Sequence, residues 1–256
     1  GINFIVHPNL TGAGTATGRI VRVTVRLRGV ITVLLPGAGS DEQYLRCAFG
    51  RPLGDAGAVL RAAAPEPAGL VAGYRRVLNE AAAAHGRIAV GGVSLGAAVA
   101  AHWALAHPEH TVAVLAALPA WTGAPGSAPA AVAARHTAAA LRRDGLAAAT
   151  AAMRLSSPGW LADELARSWH RQWPDLPDAF DEAASYAAPT VAELHRLPAP
   201  LGLAAASDDL IHPAAVAAEW AAAAPRAALR VLNLDDFGPR PAALGAACLA
   251  ALAAIH

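Results

Sequence analysis

The chain has 256 residues, of which 55% are hydrophobic and 15% charged, and its formal net charge at pH 7 is +1. That length and apolar content suit one α/β domain with an insertion, while balanced, dispersed charge points away from a nucleic-acid or acidic-membrane partner. All 20 basic residues are arginine, which, with abundant Ala, Gly and Pro, reads as codon bias in a GC-rich bacterial genome.

The first eight residues, Gly1 to Pro8, carry no charged region before their apolar stretch, so no signal peptide is expected. The missing initial Met points to a trimmed chain. Thr11 to Gly18 is a Gly/Thr/Ala turn leading into Arg19–Leu27, which alternates like a half-exposed strand. The spacing Gly12-x-Gly14-x-x-x-Gly18 precedes a strand instead of following one, so it reads as a hairpin turn and not as a phosphate loop. Gly29–Leu35 is a continuous apolar run, as in a strand covered on both faces. Pro36-Gly37-Ala38-Gly39-Ser40-Asp41 follows it. Ser40 with Gln43 three residues on forms a capping box and predicts a helix start, with Ser40 and Asp41 as capping residues. The glycine-rich turn can also aim the Ala38 N–H into a site beside the next strand. Ala58–Ala62 is a weak strand, and Ala68–His85 a helix with Leu70, Val71, Tyr74, Val77 and Leu78 as its buried stripe.

Arg87–Val93 then reads as a buried strand, and an alanine-rich helix begins at Leu95. Between them lies Gly92-x-Ser94-x-Gly96. A serine on so tight a strand-to-helix turn needs a strained backbone, and the two glycines remove side chains that would collide across it. The following helix directs its N-terminal N–H groups at any oxyanion formed beside Ser94. His102, two turns down that helix, reads as structural, and His107-Pro108-Glu109-His110 as a surface loop instead of a metal site.

Thr111–Leu118 is a further buried strand. From Thr122 to about Leu197 the alternation of strands stops and a helical, alanine-rich cap containing Trp160, Trp169 and Trp173 is expected; Trp169 and Trp173, one helical turn apart, anchor it to the body or wall an apolar pocket. His136, His170 and His195 are surface or packing residues there. Strands at 200–206 and 229–234 resume the rhythm, with helices near 214–223 and 241–254. This order predicts a mostly parallel sheet with helices on both faces. Cys47 and Cys248 are expected to be free thiols, and no apolar run reaches the roughly 18 residues of a membrane span. A cytoplasmic location follows from these expectations.

These motifs together resemble the α/β-hydrolase superfamily. The resemblance covers residues 19–121 and 198–255, and implies a body of residues 1–121 and 198–256 with a cap at 122–197. Gly92-Val93-Ser94-Leu95-Gly96 matches the nucleophile elbow, and Pro36-Gly37-Ala38 occupies the place of the oxyanion loop. By that match Ala38 and Leu95 supply the two oxyanion N–H groups. Asp209-x-x-x-Pro213 matches the acid loop and favours Asp209 over Asp208. The resemblance implies an acyl ester, thioester or lactone in an apolar pocket. No metal, nucleotide or flavin motif is present, so neither cofactor nor metal is expected, and the partner is a small hydrophobic substrate or acyl intermediate.

One position departs from the pattern. After the last strand the family usually carries Gly-His, and here Asp236 of Asp235-Asp236-Phe237 stands in that place. No histidine lies between His212 and His256. Three readings follow. Ser94 works with a displaced base, for which His212 is the candidate because it lies on the acid loop. Alternatively the site performs a cyclisation, isomerisation or elimination through its oxyanion N–H groups, Asp209 and Asp236. Or the chain is a binding or accessory protein on the hydrolase scaffold.

Overall fold

The structure is a computed structural model that describes residues 27–255. The turn expected at 11–18 and almost all of the strand expected at 19–27 lie outside the described residues. Among the described residues six parallel strands form the sheet: β1 (Ile31–Leu35), β2 (Val59–Ala62), β3 (Ile88–Val93), β4 (Thr111–Ala117), β5 (Leu201–Ala206) and β6 (Ala227–Leu232). Their spatial order is β2-β1-β3-β4-β5-β6. The central strands are apolar throughout because both faces are covered. β3 and β5 are buried at every residue.

Five long helices cover the sheet: α1 (Glu42–Asp55), α2 (Leu70–His85), α3 (Leu95–Ala106), α8 (Ala214–Ala223) and α10 (Ala242–Ala253). Alternate strand residues serve the two faces. Val33, Leu35, Ile88 and Val90 pack with α2, α3 and α8, including Tyr74 and Trp220. Leu34 and Ala89 pack with Leu45, Phe49 and Leu53 of α1 and Leu244, Cys248 and Leu252 of α10. Of the stripe expected on α2, Leu70, Val71, Tyr74 and Leu78 are buried and Val77 is partly buried. Cys47 is an exposed and Cys248 a buried free thiol.

Between β4 and β5 the chain runs through α4 (Pro129–Ser156, broken at Gly145 with φ 78°), α5 (Gly159–Gln172), α6 (Leu176–Ser185) and α7 (Val191–Leu194). These helices share a small core of Leu141, Trp169, Leu176 and Phe180, against which Ala38 of the body packs. Trp169 and Phe180 meet edge to face at 5.7 Å. Trp173, expected with Trp169 to anchor this segment, is 40% exposed at the end of α5. One further short helix, α9 (Leu234–Phe237), follows β6. Among the described residues no helix is long and apolar enough to cross a membrane.

Candidate active site

The turn from β3 to α3 has the strain that its sequence demands. Ser94 sits at φ 53°, ψ −116°, a conformation costing about 1–3 kcal/mol. Its surroundings hold it there. The Ser94 N–H donates to Ala117 O at 3.0 Å, and Ser94 O accepts from Ala97 N and Ala98 N at 3.1 and 3.2 Å. The flanking glycines are needed for close approach. A Cβ on Gly92 would stand 2.3 Å from Leu35 O and 2.6 Å from Gly96 C, and one on Gly96 would stand 2.1 Å from Leu35 O. The end of β1 therefore presses directly on the elbow.

That contact also places the turn after β1. A Cβ on Gly37 would lie 3.4 Å from Ser94 Cβ, so Pro36-Gly37-Ala38 runs alongside the serine. Among the described residues, neither Ala38 N–H nor Leu95 N–H donates to a backbone acceptor. Of the two capping residues expected, Asp41 is the N-cap of α1, with its side chain accepting from Gln43 N and Tyr44 N. Ser40 does not cap; its Oγ donates to Glu164 Oε1 of α5 at 2.8 Å.

The loop after β5 brings Asp209 and His212 to Ser94. Asp209 Oδ1 accepts from the backbone N–H of Ile211 at 2.8 Å and of His212 at 3.0 Å, which folds the loop into a tight turn. Asp209 Oδ2 then lies 3.0 Å from His212 Nδ1, and His212 Nε2 lies 3.1 Å from Ser94 Oγ. A carboxylate only accepts hydrogen bonds, so Nδ1 carries the proton and the Nε2 lone pair faces the serine hydroxyl. Burial alone would push the Asp209 carboxyl up. The hydrogen bond and charge of His212, with the two backbone N–H groups, outweigh it and hold the pKa below the usual carboxylate value.

The adjacent aspartates do other work. Asp208 Oδ1 accepts from Leu234 N at 2.8 Å, stitching the acid loop to α9. Asp236, counted with Asp209 in the second reading, hydrogen-bonds neither Ser94 nor His212. Its Oδ2 accepts from Asn233 N at 2.8 Å, and with the Asn233 side chain it closes a capping box on α9. The short helix consumes the carboxylate. His102 bonds Tyr186 Oη through Nδ1 at 2.8 Å, His107 stacks on Trp103, and His110 Nδ1 bonds Gly86 O at 2.9 Å. His136, His170 and His195 are exposed.

Other residues at the site carry no motif. Tyr74, legible only as core, donates its buried hydroxyl to Pro36 O at 3.0 Å. From α5, Gln172 Nε2 donates to Ser40 O at 3.0 Å and Arg167 pairs with Asp41. Glu164, Arg167, Arg171 and Gln172 recur at helical spacing, a pattern that any solvated helix face shares, so only packing distinguishes them. A cavity of about 410 Å³ borders this group, lined by Tyr44, Trp160, Glu164, Arg167 and Gly238 among others. Ser94 does not line it.

Comparison with known proteins agrees with this architecture. A profile described as "Alpha/beta hydrolase family" matches residues 9–236. No curated protein matches the chain significantly in sequence. Among solved structures, a hydrolase from Oleispira antarctica is similar with a TM-score of 0.68 at 13% identity, over 88% of this chain and 92% of that one. A thermophilic esterase from Thermogutta terrifontis is similar with a TM-score of 0.62 at 16% identity, over 80% and 82%. The enol-lactonase from Burkholderia xenovorans gives 0.57 at 19%, over 81% and 84%. At these identities the likeness is one of fold.

Proposed function

The chain belongs to the alpha/beta hydrolase family, and from that premise we propose that it is a serine hydrolase of acyl esters, thioesters or lactones. One observation carries the reading: a single imidazole, His212, bridges Ser94 Oγ at 3.1 Å and Asp209 Oδ2 at 3.0 Å. That is the arrangement in which a weakly nucleophilic hydroxyl becomes reactive near neutral pH. Similar structures include an esterase and an enol-lactonase, in keeping with ester and lactone substrates.

The steps follow from the geometry. Ser94 Oγ attacks the substrate carbonyl carbon as His212 Nε2 takes its proton. Asp209 keeps the imidazole oriented and stabilises the imidazolium. The carbonyl electron pair moves to oxygen, which receives the N–H groups of Ala38 and Leu95. As the tetrahedral species collapses, His212 returns the proton to the leaving oxygen or sulfur, leaving an acyl group on Ser94. Water then repeats the sequence and releases the carboxylic acid. In this reading, residues 122–197 cap a body of residues 1–121 and 198–256.

A fluorophosphonate probe should label the protein at Ser94, and p-nitrophenyl butyrate should be hydrolysed. Ser94→Ala should abolish both, and His212→Ala should slow both by about 10³-fold or more. Ligand-dependent thermal stabilisation with neither labelling nor turnover would overturn the reading in favour of a binding protein.

A further inference from the structure

The turn Pro36–Ser40 is held at both ends by side chains from outside it. On the body side, the Tyr74 hydroxyl fixes the Pro36 carbonyl. On the other side, the Ser40 carbonyl accepts from Gln172 Nε2, and the Ser40 hydroxyl donates to Glu164. The next residue, Asp41, is clamped as well. Its side chain is 2% exposed and pairs with both Arg167 and Arg171, while Arg171 also reaches Glu42 Oε1 at 2.8 Å. Gln172, Glu164, Arg167 and Arg171 all belong to α5. Positions 164, 167, 171 and 172 fall on one helical face; Gln172 and Glu164 are covered where that face meets the turn, while Arg167 and Arg171 reach Asp41 from its solvent edge.

Gly39 completes the contact. It adopts φ 76°, and a Cβ there would stand 2.6 Å from Phe180 Cζ and 2.9 Å from Trp169 Nε1. The cap therefore closes over the turn with no space to spare. Polar anchoring of this kind places a backbone N–H more tightly than apolar contact, because buried hydrogen-bonding groups left unpaired are costly.

We propose that α5 is a working part of the oxyanion site, and that Gln172, with Glu164 and Arg167, positions the Ala38 N–H toward Ser94. The inference rests on the hydrolase reading. Its consequence is that docking of the cap sets the rate of the chemical step and does more than enclose the substrate. None of the three touches the reacting atoms; each acts through the turn.

The test compares Gln172→Met and Ser40→Ala with Glu182→Ala. Glu182 is a different cap anchor, accepting from Leu70 N and Val71 N at the start of α2 and hydrogen-bonding no residue of the Pro36–Ser40 turn. For p-nitrophenyl butyrate, Gln172→Met should lower kcat about 10- to 100-fold with KM little changed. Its inhibition constant for an alkyl boronic acid, which mimics the tetrahedral species, should rise by the same factor. Ser40→Ala, a smaller and better tolerated change, should show the same split at roughly 3- to 10-fold. Glu182→Ala should lower the melting temperature yet leave kcat and the boronic acid constant within about twofold. Equal losses in Glu182→Ala and Gln172→Met, or unchanged kcat in Gln172→Met and Ser40→Ala, would overturn the inference while leaving the hydrolase reading intact. Absence of turnover and of labelling in the unmodified protein would overturn both.

Discussion

Asp209 and His212 are three residues apart in one turn, and the same carboxylate both folds that turn and orients the imidazole. Oδ1 takes the backbone N–H groups of Ile211 and His212, and Oδ2 faces His212 Nδ1 at 3.0 Å. Asp209→Asn should therefore hurt twice. The amide nitrogen would favour the wrong imidazole tautomer, and the turn would lose a charged acceptor. The expected result is a loss of kcat of about 10³- to 10⁴-fold, with Ser94 labelling slowed in proportion. A variant within tenfold of the parent would show that Asp209 does not orient the base.

Asp236 gives the opposite expectation. It occupies the place where the resemblance leads one to look for the histidine, yet its carboxylate is engaged by Asn233 N in the α9 capping box. Asp236→Ala should cost about 1 kcal/mol of stability through the lost cap. Ester hydrolysis should stay within about twofold of the parent. A loss of 10²-fold or more with the fold intact would return Asp236 to the chemistry.

The elements that were legible are those whose signal is local. The stretch from β3 through α3 follows from an apolar run, two glycines across one serine, and an alanine-rich helix, all within about twenty residues. The bounds of α8, Ala214–Ala223, are those expected from the sequence. The Ser40–Gln43 spacing is also a local signal, yet Asp41 makes the cap and Ser40 Oγ donates to Glu164, 124 residues away. The placement of His212 beside Ser94 spans 118 residues. The chain could nominate it by elimination, but only the packing of β5 beside β4 and β3 gives the distance. The grip of α5 on the oxyanion turn had no readable signal. A polar helix face looks the same in sequence whether it meets water or a buried turn.

The approach of β1 to the elbow predicts a sharp asymmetry among alanine substitutions. A Cβ on Gly96 would lie 2.1 Å from Leu35 O and 2.8 Å from Pro36 O, both backbone atoms that cannot rotate aside. Gly96→Ala should force β1 and α3 apart at a cost of about 3 kcal/mol or more, and should displace the oxyanion turn. Gly50 is on α1 with nothing within 4 Å of its virtual Cβ, so Gly50→Ala should stabilise by about 0.5–1 kcal/mol. Urea unfolding of the two variants measures both. Equal stability of the two would contradict the packing described for the elbow.

Glu164 makes stability depend on pH in a direction unusual for a carboxylate. Burial dominates and pushes its pKa up to about 7; the Ser40 hydrogen bond opposes this, the Asp41 charge reinforces it, and Arg167 opposes it. Partly buried Tyr44 of α1 also faces it. The ordinary value is 4.5, so the folded state holds this proton more tightly than the unfolded chain does. The stabilising contribution is full below about pH 4.5 and is lost as pH rises to about 7. Its full size is on the order of 3 kcal/mol. Glu164→Gln keeps an acceptor for the Ser40 hydroxyl and removes the titration. The variant should be more stable than the parent at pH 8, by several degrees in Tm, and the difference should shrink toward pH 5. Parallel Tm curves for the two proteins between pH 5 and 8 would mean that Glu164 ionises freely in the folded chain.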